Sequence, residues 1–106
     1  IVPFITYSPI NKSYSSENDL FRLLSTGKCI RCDLQDAQLA QLYSPNSNLE
    51  QSNLTRANLS GSDLSGSDLR GSNLSYTNLS LSNLKGVNLT EANLYRTDLT
   101  GANLTN

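Results

Sequence analysis

Ser47-Asn48-Leu49-Glu50-Gln51-Ser52-Asn53-Leu54-Thr55-Arg56-Ala57-Asn58-Leu59-Ser60-Gly61 opens a five-residue register that runs unbroken to Asn106. Leu occupies every central slot from Leu49 through Leu64, Leu84 and Leu94 to Leu104, and Asn or Asp precedes each one. Two places before each Leu the residue is small, as at Ser47, Ala57, Thr77, Val87 and Ala102. A period of five matches neither the 3.6 of a helix nor the strict alternation of a long strand. Each pentapeptide therefore has to turn a corner.

In extended chain, residues two apart point to the same side, so Leu and the small residue before it share an interior face. Asn and Asp between them suit turns, because their short side chains bond nearby backbone amides, and Gly at 61, 66, 71, 86 and 101 accepts a positive φ. A single pentapeptide cannot bury its Leu alone. The repeats must stack, with backbone hydrogen bonds between coils at about the 4.8 Å strand spacing.

The rest of the composition is thin for an ordinary globular core. Only 37% of the 106 residues are hydrophobic, with two Phe, five Tyr and neither Trp nor Met, so regular placement rather than abundance has to build the interior. A net charge of −1 gives neither the basic footprint of a nucleic-acid binder nor the strong field of an acidic mimic. No apolar run approaches the roughly 20 residues needed to cross a bilayer, and Ile1-Val2-Pro3-Phe4-Ile5 lacks the basic flank of a signal peptide. No membrane insertion is expected. The opening on Ile1 rather than Met leaves room for a mature or trimmed form.

Units such as Ala57-Asn58-Leu59-Ser60-Gly61 and Ala92-Asn93-Leu94-Tyr95-Arg96 resemble the pentapeptide-repeat family, whose pattern is A-[D/N]-L-x-x. Cys32-Asp33-Leu34 and Ala37-Gln38-Leu39 extend the phase towards residue 32. The resemblance implies an all-β solenoid, a right-handed quadrilateral parallel β-helix with four repeats per coil and about four coils. The departure lies between, where Leu42 takes the small-residue slot and Ser44 the Leu slot, followed by Pro45. Either Leu42 points inward in place of the missing Leu, or the chain bulges there.

Solenoid ends expose unpaired backbone and apolar side chains and need covering. Asp19-Leu20-Phe21-Arg22-Leu23-Leu24 has helical spacing, Ser16 followed by Asp19 resembles a capping arrangement, and Gly27 sits where a helix would stop. These residues predict a capping helix over about 17–26, within an otherwise irregular segment 1–31 that carries Pro3, Tyr7 and Pro9, ahead of a β-helix over 32–106. At the other end Leu89, Leu94, Leu99 and Leu104 should line the final coil. By resemblance to family members that dimerise through their C-terminal ends, this end is a candidate homodimer interface.

Catalytic chemistry starts badly. The chain has no His, which removes the commonest general base, and it lacks P-loop, H-E-x-x-H and G-x-G-x-x-G motifs. Asp63, Asp68 and Asp98 fill the slot that Asn fills elsewhere and read as turn formers. Cys29-Ile30-Arg31-Cys32 lacks the further ligands of structural zinc, and it follows the predicted helix, whereas redox cysteines favour a helix N-terminus. Buried thiols and a structural disulfide both remain open for Cys29 and Cys32.

With four repeats per coil, residues twenty apart stack, which places Asp36, Arg56, Tyr76 and Arg96 in one outer column and Glu50 beside Arg70. An Asp36–Arg56 ion pair and cation-π contacts of Tyr76 with its Arg neighbours are expected. The function these features support is a non-catalytic structural or protein-interaction module without cofactor or metal, whose partner is another protein. The alternative is a DNA mimic that binds a type II topoisomerase, as in family members that protect gyrase. Residues 32–106 carry seven acids and four bases, a weak −3 for such a mimic. A cyanobacterial-type arrangement further suggests a periplasmic or thylakoid-lumenal site over a cytoplasmic one.

Overall fold

The computed structural model describes residues 16–106, so the expectation of an irregular stretch around Pro3, Tyr7 and Pro9 lies outside the described residues. Helix α1 spans Glu17–Thr26. The Ser16 side chain accepts a hydrogen bond from the Asp19 N–H at 3.2 Å, satisfying one of the orphan donors of the first turn, and Glu17 and Asp19 place negative charge there. The helix ends at Gly27, whose φ of 70° lets its own N–H reach back to the Leu23 carbonyl. Leu20 and Leu23 are its buried residues.

From Lys28 onward the chain forms four parallel ladders, each joining residues twenty apart. Lys28, Asn48, Asp68 and Asn88 make one ladder, and Asp33, Gln38 and Tyr43 begin the other three. Four ladders per twenty residues give a four-sided coil. Every side is a single bridge long because the backbone turns immediately afterwards. The turn is closed by a bond from the residue three places on, as from Ala57 N–H to the Leu54 carbonyl at 2.9 Å.

Between coils the hydrogen bonds repeat the same pattern, for example Leu34 N–H to the Asn53 carbonyl at 2.8 Å and Asn53 N–H to the Cys32 carbonyl at 2.8 Å. The backbone of the inner coils is thereby satisfied by neighbouring coils rather than by water.

The interior is a column of Leu side chains. Leu34, Leu39, Leu54, Leu64, Leu69, Leu74 and Leu79 are all fully buried, and the small residues between them, such as Ser52, Ala57, Ser67 and Thr77, are buried with them. Small side chains are required there because the opposing Leu already fills the coil. Hydroxyls at those slots bond inside, as Thr77 Oγ1 donates to the Leu54 carbonyl at 2.7 Å and Ser82 Oγ to the Leu79 carbonyl at 2.6 Å, except that of Ser62, which is buried without a partner among the described residues.

The irregular unit keeps phase. Leu42 is buried, Tyr43 bridges Asp63, and Ser44 N–H reaches the Asp63 carbonyl at 2.9 Å, so Leu42 serves the interior and the ladder passes without a bulge. Nor does the run from Leu34 to Leu42, with Leu at intervals of five and three, become a helix.

The last slot of each repeat is in the left-handed region whether or not it holds Gly. Gly61, Gly66 and Gly86 sit there, but so do Arg56 at 59°, Tyr76 at 59°, Leu81 at 58° and Glu91 at 61°. Sequence reading attaches positive φ to the glycines; the coil imposes it on the slot.

Candidate interaction surfaces

Asn and Asp side chains build the corners of the surface. Asn53 Oδ1 accepts from the Thr55 N–H at 3.1 Å and from the Thr55 hydroxyl at 2.6 Å, and Asn58, Asn73, Asn78 and Asn88 repeat this with the residue two places on. Asp63 does the same with Ser65, whose hydroxyl and N–H hold the Asp63 carboxyl below the ordinary carboxylate range. Asp98 is likewise lowered, by the Thr100 N–H and hydroxyl. These carboxylates are absorbed in turns.

Outside that framework lies the column of Asp36, Arg56, Tyr76 and Arg96. Arg56 Nε meets Asp36 Oδ1 at 2.9 Å and its Nη2 meets Oδ2 at 2.9 Å, a two-pronged ion pair across adjacent coils. The aromatic part of the column differs from the expectation. Tyr76 packs edge-on against Tyr95, with centroids 5.6 Å apart and planes at 81°. The Arg96 guanidinium lies 5.7 Å from the centre of the Tyr95 ring rather than over Tyr76.

Tyr95 occupies the slot just before Arg96, so the two side chains leave the same corner together. Sequence stacking by twenties missed it because it compared like slots only. Both rings remain about half exposed, 52% for Tyr76 and 58% for Tyr95.

On the adjacent corner Arg70 is pinned within its own repeat. Its Nη2 lies 2.7 Å from Asp68 Oδ2 and 3.8 Å from Glu50 Oε2. Asp68 is held below the usual range, chiefly by its hydrogen bonds with Arg70, and Arg70 is raised in turn by Asp68 and then Glu50. Beside them a shallow open notch of about 280 Å³ is lined by Glu50, Gln51, Arg70, Gly71, Thr90 and Glu91. Its depth comes from Gly71, which has no side chain between Gln51 and Glu91.

Cys29 and Cys32 are joined by a disulfide and are both buried beneath α1. Cys29 takes a Leu slot and Cys32 a small slot, so the pair closes the first corner from inside. Among Leu89, Leu94, Leu99 and Leu104 burial falls off, with Leu94 38% and Leu104 49% exposed against 0% for Leu74. Among the described residues no cluster of His, Cys, Asp or Glu is arranged to hold a metal, and no helix is long and apolar enough to cross a membrane.

A family model for pentapeptide repeats, in eight copies, matches residues 32–71 and 67–106. No curated protein sequence is significantly similar to the chain. Among solved structures it is similar to alr5209, a pentapeptide repeat protein from Nostoc PCC 7120, at 32% identity and a TM-score of 0.76 over 85% of this chain and 75% of that one. HetL, a pentapeptide repeat protein involved in heterocyst differentiation regulation from Nostoc sp. strain PCC 7120, is 36% identical at a TM-score of 0.46, over 71% of this chain and 37% of that one.

Proposed function

The chain belongs to the pentapeptide-repeat family, and from that premise we propose that it is a non-catalytic protein-interaction module. In this reading it is a right-handed β-helix of about four coils over 28–106, starting four residues ahead of the expected 32 because Lys28 already pairs with Asn48, closed at its N-terminal end by α1, and its binding element is the corner formed by Tyr76, Tyr95 and Arg96. The observation that carries it is the pair of half-exposed tyrosines on a rigid backbone. Aromatic and Arg side chains supply large contact area at low entropic cost and recur at the centres of protein interfaces.

The same corner speaks against mimicry of nucleic acid, which needs a continuous acidic surface. Here Arg56 and Arg96 stand in the column beside Asp36. A Cys29–Cys32 disulfide suits an oxidising compartment such as a periplasm or thylakoid lumen.

The test is cross-linked capture of partners from the native source with the wild-type protein and with a Tyr76→Ala/Tyr95→Ala double variant of unchanged thermal stability. Loss of a specific partner from the variant supports the reading, and identical capture by both proteins overturns it. A gyrase supercoiling assay unaffected at micromolar protein disposes of the mimic.

A further inference from the structure

The first corner of the solenoid is the one held by a covalent cross-link. At Cys32 the turn bond to the Cys29 carbonyl is 3.4 Å, whereas the other backbone turn bonds are 2.9–3.2 Å, and at Ser47 the hydroxyl rather than the N–H bonds the Ser44 carbonyl. The disulfide closes the turn that this bond closes only weakly. Underneath, the corner is fastened to the second coil at several points. Ser52 Oγ donates to the Cys29 carbonyl at 2.6 Å and accepts from the Cys32 N–H at 3.1 Å, while Cys29 N–H reaches the Asn48 carbonyl at 2.7 Å.

Above, the sulfurs face α1. Cys29 Sγ lies 3.2 Å from the Asp19 carbonyl oxygen and Cys32 Sγ 3.7 Å from Arg22 Nη1. Within the disulfide Cys29 has no S–H, so the first is a packing contact rather than a hydrogen bond.

We infer that the Cys29–Cys32 disulfide is a redox-operated latch that sets how firmly α1 sits on the first coil. The inference rests on the reading of α1 as the closing element. With α1 lifted, an external dithiol attacks one sulfur, the S–S bond breaks, and the other cysteine leaves as a thiolate. The second thiol of the reductant then attacks its own sulfur in the mixed disulfide. It departs as a disulfide, and two electrons and two protons end on the cysteine pair.

Two thiols no longer bonded must move apart to van der Waals separation inside a packed interior. Ser52, Asn48 and Asn53 hold the backbone from below, so the side that yields is α1. Conversely, both sulfurs are covered while α1 is seated, and exchange requires it to lift. Reduction and undocking thus favour one another.

Hydrogen–deuterium exchange on the intact chain, oxidised and after dithiothreitol, reads this directly. The expected result is exchange about tenfold faster across residues 20–26 on reduction, with amides from Asn53 onward unchanged and protection restored on reoxidation. A Cys29→Leu/Cys32→Ala variant, which writes the ordinary repeat into the first coil, should keep α1 protected with or without reductant. Equal protection of α1 in both states of the wild type overturns the latch. So does loss of protection throughout the coils, or a reductant response that persists in the double variant. An α1 already unprotected in the oxidised protein would instead sink the closing role itself.

Discussion

The backbone N–H of Asp33 donates to Asp19 Oδ2 at 2.8 Å. In the coils that follow, the equivalent N–H finds a carbonyl one coil back, as Asn53 finds Cys32 at 2.8 Å. Asp19 therefore stands in for a missing rung. Ser16 N–H completes the substitution by donating to the Asp33 carbonyl at 3.1 Å, so both backbone groups of Asp33 are met by the start of α1.

Asp19→Ala should accordingly loosen α1 while leaving the coils intact. Its carboxylate also pairs with Arg22 at 3.4 Å, but that contact is exposed and contributes little. The main loss is the charged acceptor for Asp33, about 1–2 kcal/mol at a partly exposed site. Asp19→Asn keeps an acceptor oxygen and should lose less. Urea denaturation of the three proteins checks the order, and a larger loss for Asn than for Ala would contradict it.

Position along the solenoid should decide the cost of losing a Leu. Leu79 is fully buried with coils on both sides, so Leu79→Ala should cost about 2–5 kcal/mol. Leu104 is 49% exposed, and Leu104→Ala should cost well under half as much. Equal shifts in thermal midpoint would mean that the end of the array is covered in solution.

Much of this was legible from the residues. The five-residue register, the inward Leu and the turn role of Asn and Asp follow from spacing and side-chain chemistry, and Ser16, Asp19 and Gly27 mark the bounds of α1 in the sequence itself. The Asp36–Arg56 pair was also readable, because like slots stack directly. What was not readable depends on contacts between unlike slots: the Tyr76–Tyr95 packing, the pinning of Arg70 by Asp68, and the Asp19–Asp33 bond. Side-chain reach around a corner is set by rotamers that periodicity does not encode. The left-handed backbone at Arg56, Tyr76, Leu81 and Glu91 was hidden for another reason, since residue type normally signals that conformation and here the coil imposes it.

That imposed conformation makes Leu81 an improvable position. It has φ 58° and is 73% exposed, and the same slot in the neighbouring coils holds Gly61 and Gly101. A non-glycine residue in the left-handed region costs roughly 1–2 kcal/mol, against a backbone-entropy cost of about 0.5–1 kcal/mol for Gly. Leu81→Gly should therefore be neutral to stabilising by up to about 1 kcal/mol, whereas mutation to Gly is ordinarily harmful. Calorimetry showing a clear loss would mean that the Leu81 side chain, which lies over the Gly101 backbone, contributes packing that outweighs the strain.

Acid should weaken the protein through the corner carboxylates. Hydrogen bonds from Ser65 lower Asp63, those from Arg70 lower Asp68, and those from Thr100 lower Asp98. A carboxyl whose pKa is lower folded than unfolded binds protons more readily in the unfolded chain, so its contribution is complete above the unfolded value of about 3.9 and disappears as pH falls through the folded value. Stability should thus be flat from neutral pH down to about 4 and decline below it. An Asp63→Asn/Asp68→Asn/Asp98→Asn variant puts into these slots the residue that Asn58, Asn73 and Asn93 already place there. It preserves the Asx turns, removes the titration, and should decline less steeply than wild type below pH 4. Thermal midpoints measured across pH 2.5 to 7 decide the matter, for parallel curves would show that these carboxylates carry no more of the acid response than exposed ones do.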